Sequence, residues 1–386
     1  MSAGQLAEIA RGAAAGAARL PLPARSGLDH VVVVMMENRS FDHFLGWLPG
    51  ADGKQAGLTF LDAAGAAHQT FPLAPDFQGC AYADPDHSYD GARVEWNNGA
   101  NDGWLRAGKN DQFSIGYYTK ADLPFIGAAA SAFTTCDRYF APFLGPTFPN
   151  RFYGLAGVTD RIENLFTKVT LPTIFDRLAA KKLPAAYYCG NDNFLLLWDQ
   201  IYNPITKNYK QFFAAAKSGK LPAFSWVDPN YTFEDSGPQS GIGGDDHPHS
   251  DIRVGESFLS SIYDAIVRSP AWSRTLLIVT FDEWGGFFDH VPPPAGTDVD
   301  PRFAQRGFRV PCLLISPFAR RAHVEHGVYD HTSILKLVEW RWGLQPLSVR
   351  DRDANNLAAA LDFSHRNLSA PKIAVPQFTA GALCPA

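Results

Sequence analysis

The sequence predicts an α/β protein: a mostly parallel sheet covered by helices on both faces, with long loops at one end. Three observations carry this reading. Residues 31–36 are an unbroken apolar, mostly β-branched run, and residues 275–281, TLLIVTF, read as a second buried strand, the pattern of central strands covered on both sides. Shorter strand-like runs at 184–189, 223–227 and 309–316 alternate with helical periodicity at 252–267 and 331–342, as expected where helices connect parallel strands. Each of the two long runs also stops at oxygen-bearing side chains, Glu37 and Asn38 in one case, Asp282 and Glu283 in the other. Open α/β sheets bind their ligands just outside such strand ends.

The 386 residues are 46% hydrophobic and 19% charged, which supplies a large core and excludes general disorder, collagen and coiled coil. Thirty-four basic against 39 acidic residues give a net charge of −5, so there is no broad basic footprint for nucleic acid or an anionic membrane. No apolar run reaches the ~20 residues that a transmembrane helix needs. The N-terminus is alanine-rich, carries Glu8 and lacks a continuous apolar segment, which makes a poor secretory signal. The protein is therefore expected to be cytoplasmic, or exported with a leader already removed. Its five cysteines contain no CxxC pair, which argues against a zinc ribbon or a dithiol redox centre, and the odd number leaves at least one thiol free.

Along the chain, residues 1–27 read as a helical extension, with a helix over 5–19 ended by Pro21 and Pro23. Residues 28–386 read as a single domain. Within it, residues 50–135 are dense in Gly, Asn, Asp and aromatics and form an inserted loop layer, the usual place for a binding surface or lid. A helix running into a short strand is expected over 128–139, a helix over 171–180 starting near Thr170, and a polar loop over 238–250.

Glu37, Asn38, Asp282 and Glu283 together offer three carboxylates and an amide, a donor set suited to a hard divalent cation. The alternative is structural: Asn38 or Ser40 caps the next helix and the acids make salt bridges. Histidines gather in polar segments, namely His87, His247, His249, His290 and His331, and two or three of them are expected to line a site. Ser40, Thr147 and Ser250 are candidate nucleophiles, while the absence of GxSxG argues against an α/β-hydrolase. If a helix starts at Thr147, its unpaired amides would favour an anion beside the hydroxyl; otherwise Thr147 is simply an N-cap. Tyr89, Trp96, Trp104 and Trp284 lie in or beside these segments and could hold a quaternary ammonium by cation–π attraction.

The segments HVVVVMMENRSFDHFLG, DHSYDGARVEWNNGANDGW, GPTFPNR, HPHSDIRVGE, FDEWGGFFDHVPPP and DHTSILKLVEWRWGL resemble, in order and spacing, the phosphoesterase family of bacterial non-specific phospholipases C and related acid phosphatases. The resemblance implies an alkaline-phosphatase-like core and one divalent metal ion (Ca, Mg, Mn or Zn). Its ligands would be Glu37, Asn38, Asp282, Glu283 and the Thr147 oxygen, with Thr147 as nucleophile in a phospho-enzyme mechanism. His87 and His247 would contact phosphate oxygens or protonate the leaving group. His290 and Asp289 match a family motif with a less defined role; Asp251, Asp102 and Trp104 fall in matching segments as substrate-binding candidates. Threonine as nucleophile resembles the phospholipase C side, where the phosphatase branch carries serine. The chain ends near residue 386 without the C-terminal β-domains of the larger haemolytic members and without a recognisable twin-arginine leader, which keeps soluble phosphodiesters or phosphomonoesters open as substrates. The implied partner is a phosphate ester, phosphatidylcholine being the leading case; a non-catalytic phosphate- or headgroup-binding protein is the reading from another class.

Overall fold

The computed structural model describes residues 20–232, 243–376, 378 and 382–384. The helix expected over 5–19 and part of the polar loop over 238–250 lie outside them. Eight strands form the main sheet: β1 (His30–Met36), β2 (Thr134–Cys136), β3 (Ala185–Tyr188), β4 (Thr206–Lys207), β5 (Phe224–Val227), β6 (Thr275–Phe281), β7 (Cys312–Ile315) and β8 (His323–Glu325). Their order is β8-β2-β7-β6-β1-β5-β3-β4. All run in one direction except β7, which pairs antiparallel with both β6 and β2.

Successive residues of a strand face opposite sides of the sheet, so a strand buried at every residue must be covered on both. Residues 31–36 of β1 all have zero exposure, and β6 is buried along its whole length. The cover consists of α1 (Phe41–Leu45), α2 (Tyr89–Trp96), α3 (Pro124–Ala132), α4 (Thr147–Ala156), α5 (Ile174–Ala180), α6 (Tyr209–Ser218), α7 (Ile252–Val267), α8 (His331–Trp342) and α9 (Val349–Asp353). α7 packs against α3 and α6, while α8 packs against α4 and α9.

Three expectations shift in detail. The insertion over 50–135 is not only loop: it holds α2, α3 and two small strand pairs, Thr59–Leu61 with Ala67–Gln69 and Phe71–Pro72 with Gly116–Tyr117. The helix expected from Thr170 starts at Ile174, because Thr173 and Asp176 form a reciprocal capping box there. The strand expected from Arg309 starts at Cys312, since Pro311 has no N–H for the ladder and Arg309 turns its guanidinium inward to carboxylates.

Cys80 and Cys384 form a disulfide across 304 residues of sequence, and Cys136, Cys189 and Cys312 are free and buried. The bridge fastens the C-terminal segment to the loop that leads to His87. Other contacts hold the same segment: the Tyr263 hydroxyl donates to the Pro371 carbonyl at 2.6 Å and the Trp272 Nε1–H to the Leu368 carbonyl at 2.9 Å. Closing so long a loop restricts the unfolded chain, and Cys384→Ser is expected to cost about 2–4 kcal/mol. Thermal unfolding without reductant should show a midpoint several degrees lower; an unchanged midpoint would mean that the other contacts suffice.

Candidate functional site

The register of the central strands builds the site. Met36 of β1 lies opposite Phe281 of β6, so Glu37 and Asp282 leave the sheet side by side. The Asn38 N–H donates to Asp282 Oδ1 at 3.0 Å, with Asn38 in the left-handed region at φ 56°. On the other side of β1, β5 ends at Val227, and Asp228 follows at once. The guanidinium of Arg151, which is 1% exposed, joins all three strand ends: it donates to Glu37 Oε1, to Asp228 Oδ1 at 2.9 Å, and lies 3.4 Å from Asp282 Oδ2. Burial drives the Glu37 carboxyl well above its usual value and Asp282 adds to this, while Arg151 opposes it. Burial and Asp282 likewise raise Glu283.

Thr147 is the first residue of α4, not its cap. Pro146 occupies the N-cap and makes no side-chain bond there, while Asn164 Oδ1 accepts from the Phe148 N–H at 2.8 Å. The Thr147 hydroxyl is thus not consumed by capping; it makes a long hydrogen bond of 3.4 Å to Glu37 Oε2. Asn150 fixes the turn that presents it, since its Oδ1 accepts from the Phe143 N–H at 2.9 Å and its Nδ2 donates to the carbonyls of Gly145 and Pro146 at 2.7 and 3.0 Å. Arg151, one helical turn after Thr147, falls on the same face of α4.

His87 and His247 approach this point from two loops, with ring centroids 5.6 Å apart, and His87 Nε2 lies 3.4 Å from Asn38 Nδ2. Fully buried Arg39 anchors the His247 loop: its Nε donates to the Asp246 carbonyl at 2.6 Å, and its guanidinium stacks 4.6 Å from the Phe287 ring. Gly285 and Gly286 let the turn after Glu283 close against the same loops. Both have positive φ, and a Cβ would meet the Asn38 carbonyl oxygen at 2.2 Å or Pro85 Cβ at 2.6 Å.

A cavity of about 510 Å³ opens above Thr147. Glu37, Arg151, Asp245 and His247 line its polar end, and Phe148, Phe166, Phe194 and Leu196 line its apolar walls. A second cavity of about 480 Å³ holds Asp84, His87, Tyr89 and Lys109, and Asn164 borders both. Among the described residues, three buried oxygens at the strand ends have no hydrogen-bond partner: Asn38 Oδ1, Glu283 Oε1 and Asp282 Oδ2, the last with only the Arg151 guanidinium at 3.4 Å. Buried polar atoms are rarely left so, and hard oxygen donors of this kind suit a divalent cation. Glu37, Asp282 and Glu283 are nevertheless not a group whose oxygens all lie within 4.8 Å of one another, because Glu37 turns to Arg151 and Glu283 Oε2 accepts from the Gly285 N–H at 2.7 Å.

The structure thus gathers Glu37, Asn38, Thr147, Asp282, Glu283, His87 and His247. It does not bring the remaining candidates to this point. Asp251 caps α7 and pairs with Arg253, and half-exposed Asp102 pairs with Arg106. Trp104 and Trp284 are fully buried, Trp104 against Phe308 and Trp284 donating to Glu95, while the Tyr89 ring is covered by Arg93. With those faces occupied and Trp96 packed against the cluster that holds Trp104 and Trp284, the four aromatics form no cage. Ser40 caps α1, and His331, fully buried, binds the Asp282 carbonyl at 2.7 Å from behind; burial lowers His331 to about 4. Arg151, Asp84, Asp228 and Asp245 were missed in the sequence. Helical spacing from Thr147 pointed to the first, and proximity to His87 to the second.

Asp289 and His290 belong to a separate buried network. Arg309 donates to Asp289 Oδ1 at 2.9 Å and to Asp42 Oδ1 at 3.1 Å. Both His290 nitrogens face carboxylates, Nδ1 towards Asp42 at 2.5 Å and Nε2 towards Asp52 at 3.2 Å, so both carry protons. Burial alone would lower His290; the bonds to Asp42 and Asp52 outweigh it and raise the ring from 6.5 to about 9. A raised folded-state value stabilises fully below about pH 6.5 and ceases to do so as pH climbs through about 9. His290→Gln should therefore lose on the order of 1–3 kcal/mol at pH 6 and much less at pH 10, by urea unfolding. An equal loss at both values would contradict the charged clamp.

Comparison with known proteins gives a consistent assignment. The model of the Phosphoesterase family matches residues 28–345. Phospholipase C B of Mycobacterium tuberculosis is 30% identical over 96% of this chain and 85% of its own. Non-hemolytic phospholipase C of Pseudomonas aeruginosa is 30% identical over 88% of this chain and 58% of its own. Non-specific phospholipase C1 of Arabidopsis thaliana is 30% identical over 84% and 68% respectively. Among solved structures, a protein in the alkaline phosphatase superfamily from Vibrio parahaemolyticus overlaps with a TM-score of 0.41 at 11% identity, over 86% of this chain and 70% of that one. No helix of the described residues is long and apolar enough to cross a membrane. The matched segment contains every strand of the main sheet and both strand ends that build the site: the chain belongs to the Phosphoesterase family and is a phosphoric ester hydrolase.

Proposed function

We propose that the chain is a phospholipase C that cleaves phosphodiesters such as phosphatidylcholine, with Thr147 as nucleophile and a phospho-enzyme intermediate. The observation that carries the diester reading is the cavity above Thr147, in which a polar end with Arg151 and His247 meets walls of Phe148, Phe166, Phe194 and Leu196. Phe166 is 84% exposed and Leu196 52%, so the apolar wall continues to the surface. An ester of an apolar alcohol fits such a cavity at both ends. A phosphomonoester, the substrate of an acid phosphatase, would leave the wall without a role. The names of the phospholipase C relatives point the same way.

In this reading Thr147 Oγ1 attacks phosphorus, the bond to the leaving alcohol breaks, and water later releases the phosphoryl group from Thr147. The Thr147 N–H at the start of α4 and the Arg151 guanidinium favour the negative phosphoryl oxygens, the Phe148 N–H being taken by Asn164 and Pro149 having none. Glu37 orients the hydroxyl. His87 and His247 contact phosphate oxygens or, as imidazolium, protonate the leaving oxygen. Glu37, Asn38, Asp282, Glu283 and the Thr147 oxygen would hold one divalent ion; when bound, it would lower the pKa of the hydroxyl and offset phosphate charge. Asp289 and His290 act by holding the start of α1 in place. The alkaline-phosphatase-like core stays part of this reading.

The test is hydrolysis of p-nitrophenyl phosphorylcholine against p-nitrophenyl phosphate from acid to alkaline pH, with and without a chelator. The diester should be preferred, chelation should silence it and a hard divalent ion restore it, and Thr147→Ala should lose at least ~10³-fold in kcat with an unchanged melting midpoint. A monoester preference at acid pH would move the chain to the phosphatase branch. No turnover of either ester would favour a headgroup-binding protein.

A further inference from the structure

Large apolar side chains exposed at the surface are unevenly spread. Among the described residues there are ten, and four of them, Leu165, Phe166, Leu196 and Ile201, fall on two segments that border the cavity above Thr147. The other six stand singly along the chain, which is ordinary for a folded protein, whereas a contiguous exposed patch marks a surface that meets something. The two segments lie side by side: the Val169 N–H donates to the Leu197 carbonyl at 2.8 Å, and Lys168 pairs with Asp199.

The exposure is imposed by the fold. Arg161 donates to the carbonyls of Leu165 and Thr167, the second at 3.0 Å, and its guanidinium lies 4.9 Å from the Phe152 ring. Asn164 is tied to the start of α4 through the Phe148 N–H. With the backbone held on both sides, Phe166 stands largely in solvent while its ring still meets that of Phe148 at 5.0 Å. Phe148 packs in turn on Phe194 at 5.2 Å, so apolar surface runs from Phe166 to the wall beside Thr147.

Charge selects what this patch can meet. Segments 160–168 and 192–201 carry four acids, Asp160, Glu163, Asp192 and Asp199, and two cations, Arg161 and Lys168, which are already paired with Asp160 and Asp199. That excess repels an anionic lipid surface. The outermost charge of a phosphocholine surface is instead a quaternary ammonium, which the acids attract. We propose that Leu165, Phe166, Leu196 and Ile201 form a docking face for a zwitterionic, phosphocholine-headed lipid surface. Exposing chain methylenes to water is the main cost of lifting a lipid from its bilayer, and a docked apolar rim lets the ester move along the wall to Thr147 while its chains stay out of water. That use of the face rests on the phospholipase reading; the attraction to the lipid surface does not.

The test is flotation of the full chain with vesicles of phosphatidylcholine or of phosphatidylglycerol, carried out with Thr147→Ala so that the lipid stays intact. The chain should float with phosphatidylcholine and less with phosphatidylglycerol. Adding Leu165→Ser together with Ile201→Ser, neither of which lines the cavity, should weaken that binding at least ~10-fold. With Thr147 in place, the same pair should leave kcat/KM for dissolved p-nitrophenyl phosphorylcholine unchanged and slow the hydrolysis of phosphatidylcholine vesicles. No flotation, a preference for phosphatidylglycerol, or equal binding with and without the pair would overturn the face, as would a dimer in sedimentation that the pair dissolves, which would assign the patch to a second copy of the chain. Flotation that the pair abolishes, with no ester hydrolysed by wild type, would remove the functional reading and leave the docking face standing.

Discussion

Arg151 is the point on which the arrangement turns. Parallel strands β5, β1 and β6 deliver Asp228, Glu37 and Asp282 to one edge of the sheet, where their carboxylates repel one another in a buried setting. A single guanidinium, held by helix α4, reaches all three. Removing one partner of such a buried cluster typically costs ~3–5 kcal/mol, because the charges left behind stay desolvated. The residue that holds the strand ends together also stands one helical turn from Thr147, so the charge that stabilises the fold also lines the cavity above that hydroxyl.

From this follows the asymmetry of the site. The polar end is made by strand ends and a helix N-terminus, elements whose positions are set by the sheet register and hence rigid. Its loops are secured one by one: Arg39 ties the His247 loop, Gly285 and Gly286 allow close approach, and the clamp of Asp42, Asp289, His290 and Arg309 fixes the start of α1. The apolar wall is built differently, from Phe148 and Phe194 supported by ring contacts at 5.2 Å and from exposed Phe166 beyond them. Rigid polar chemistry beside an apolar, outward-facing wall is the physical content of the phospholipase reading.

Much of this was legible in the residues. Strand β6 and helices α7 and α8 begin and end where apolar periodicity placed them, because burial on both faces or on one stripe leaves a strong pattern. The strand ends Glu37 and Asp282 were legible for the same reason. Less visible were features that depend on what lies opposite in space. Nothing in the spacing of Trp104 or Trp284 reveals that other side chains cover their faces, or that His290 meets two carboxylates over 200 residues away in sequence. The Cys80–Cys384 bridge is equally non-local, and five scattered cysteines leave its pairing open. The insertion reads as loop because α2 is polar and interrupted by Gly91, against which the Asp86 carboxylate packs.

The central claim is covalent attack by Thr147, and acid-quenched turnover followed by peptide mapping tests it most directly. The account predicts a phosphoryl or phosphocholine adduct on the peptide that contains Thr147, formed at a rate matching turnover and absent in Thr147→Ala. An adduct on a different residue, or rapid turnover with no adduct at any time, would contradict it.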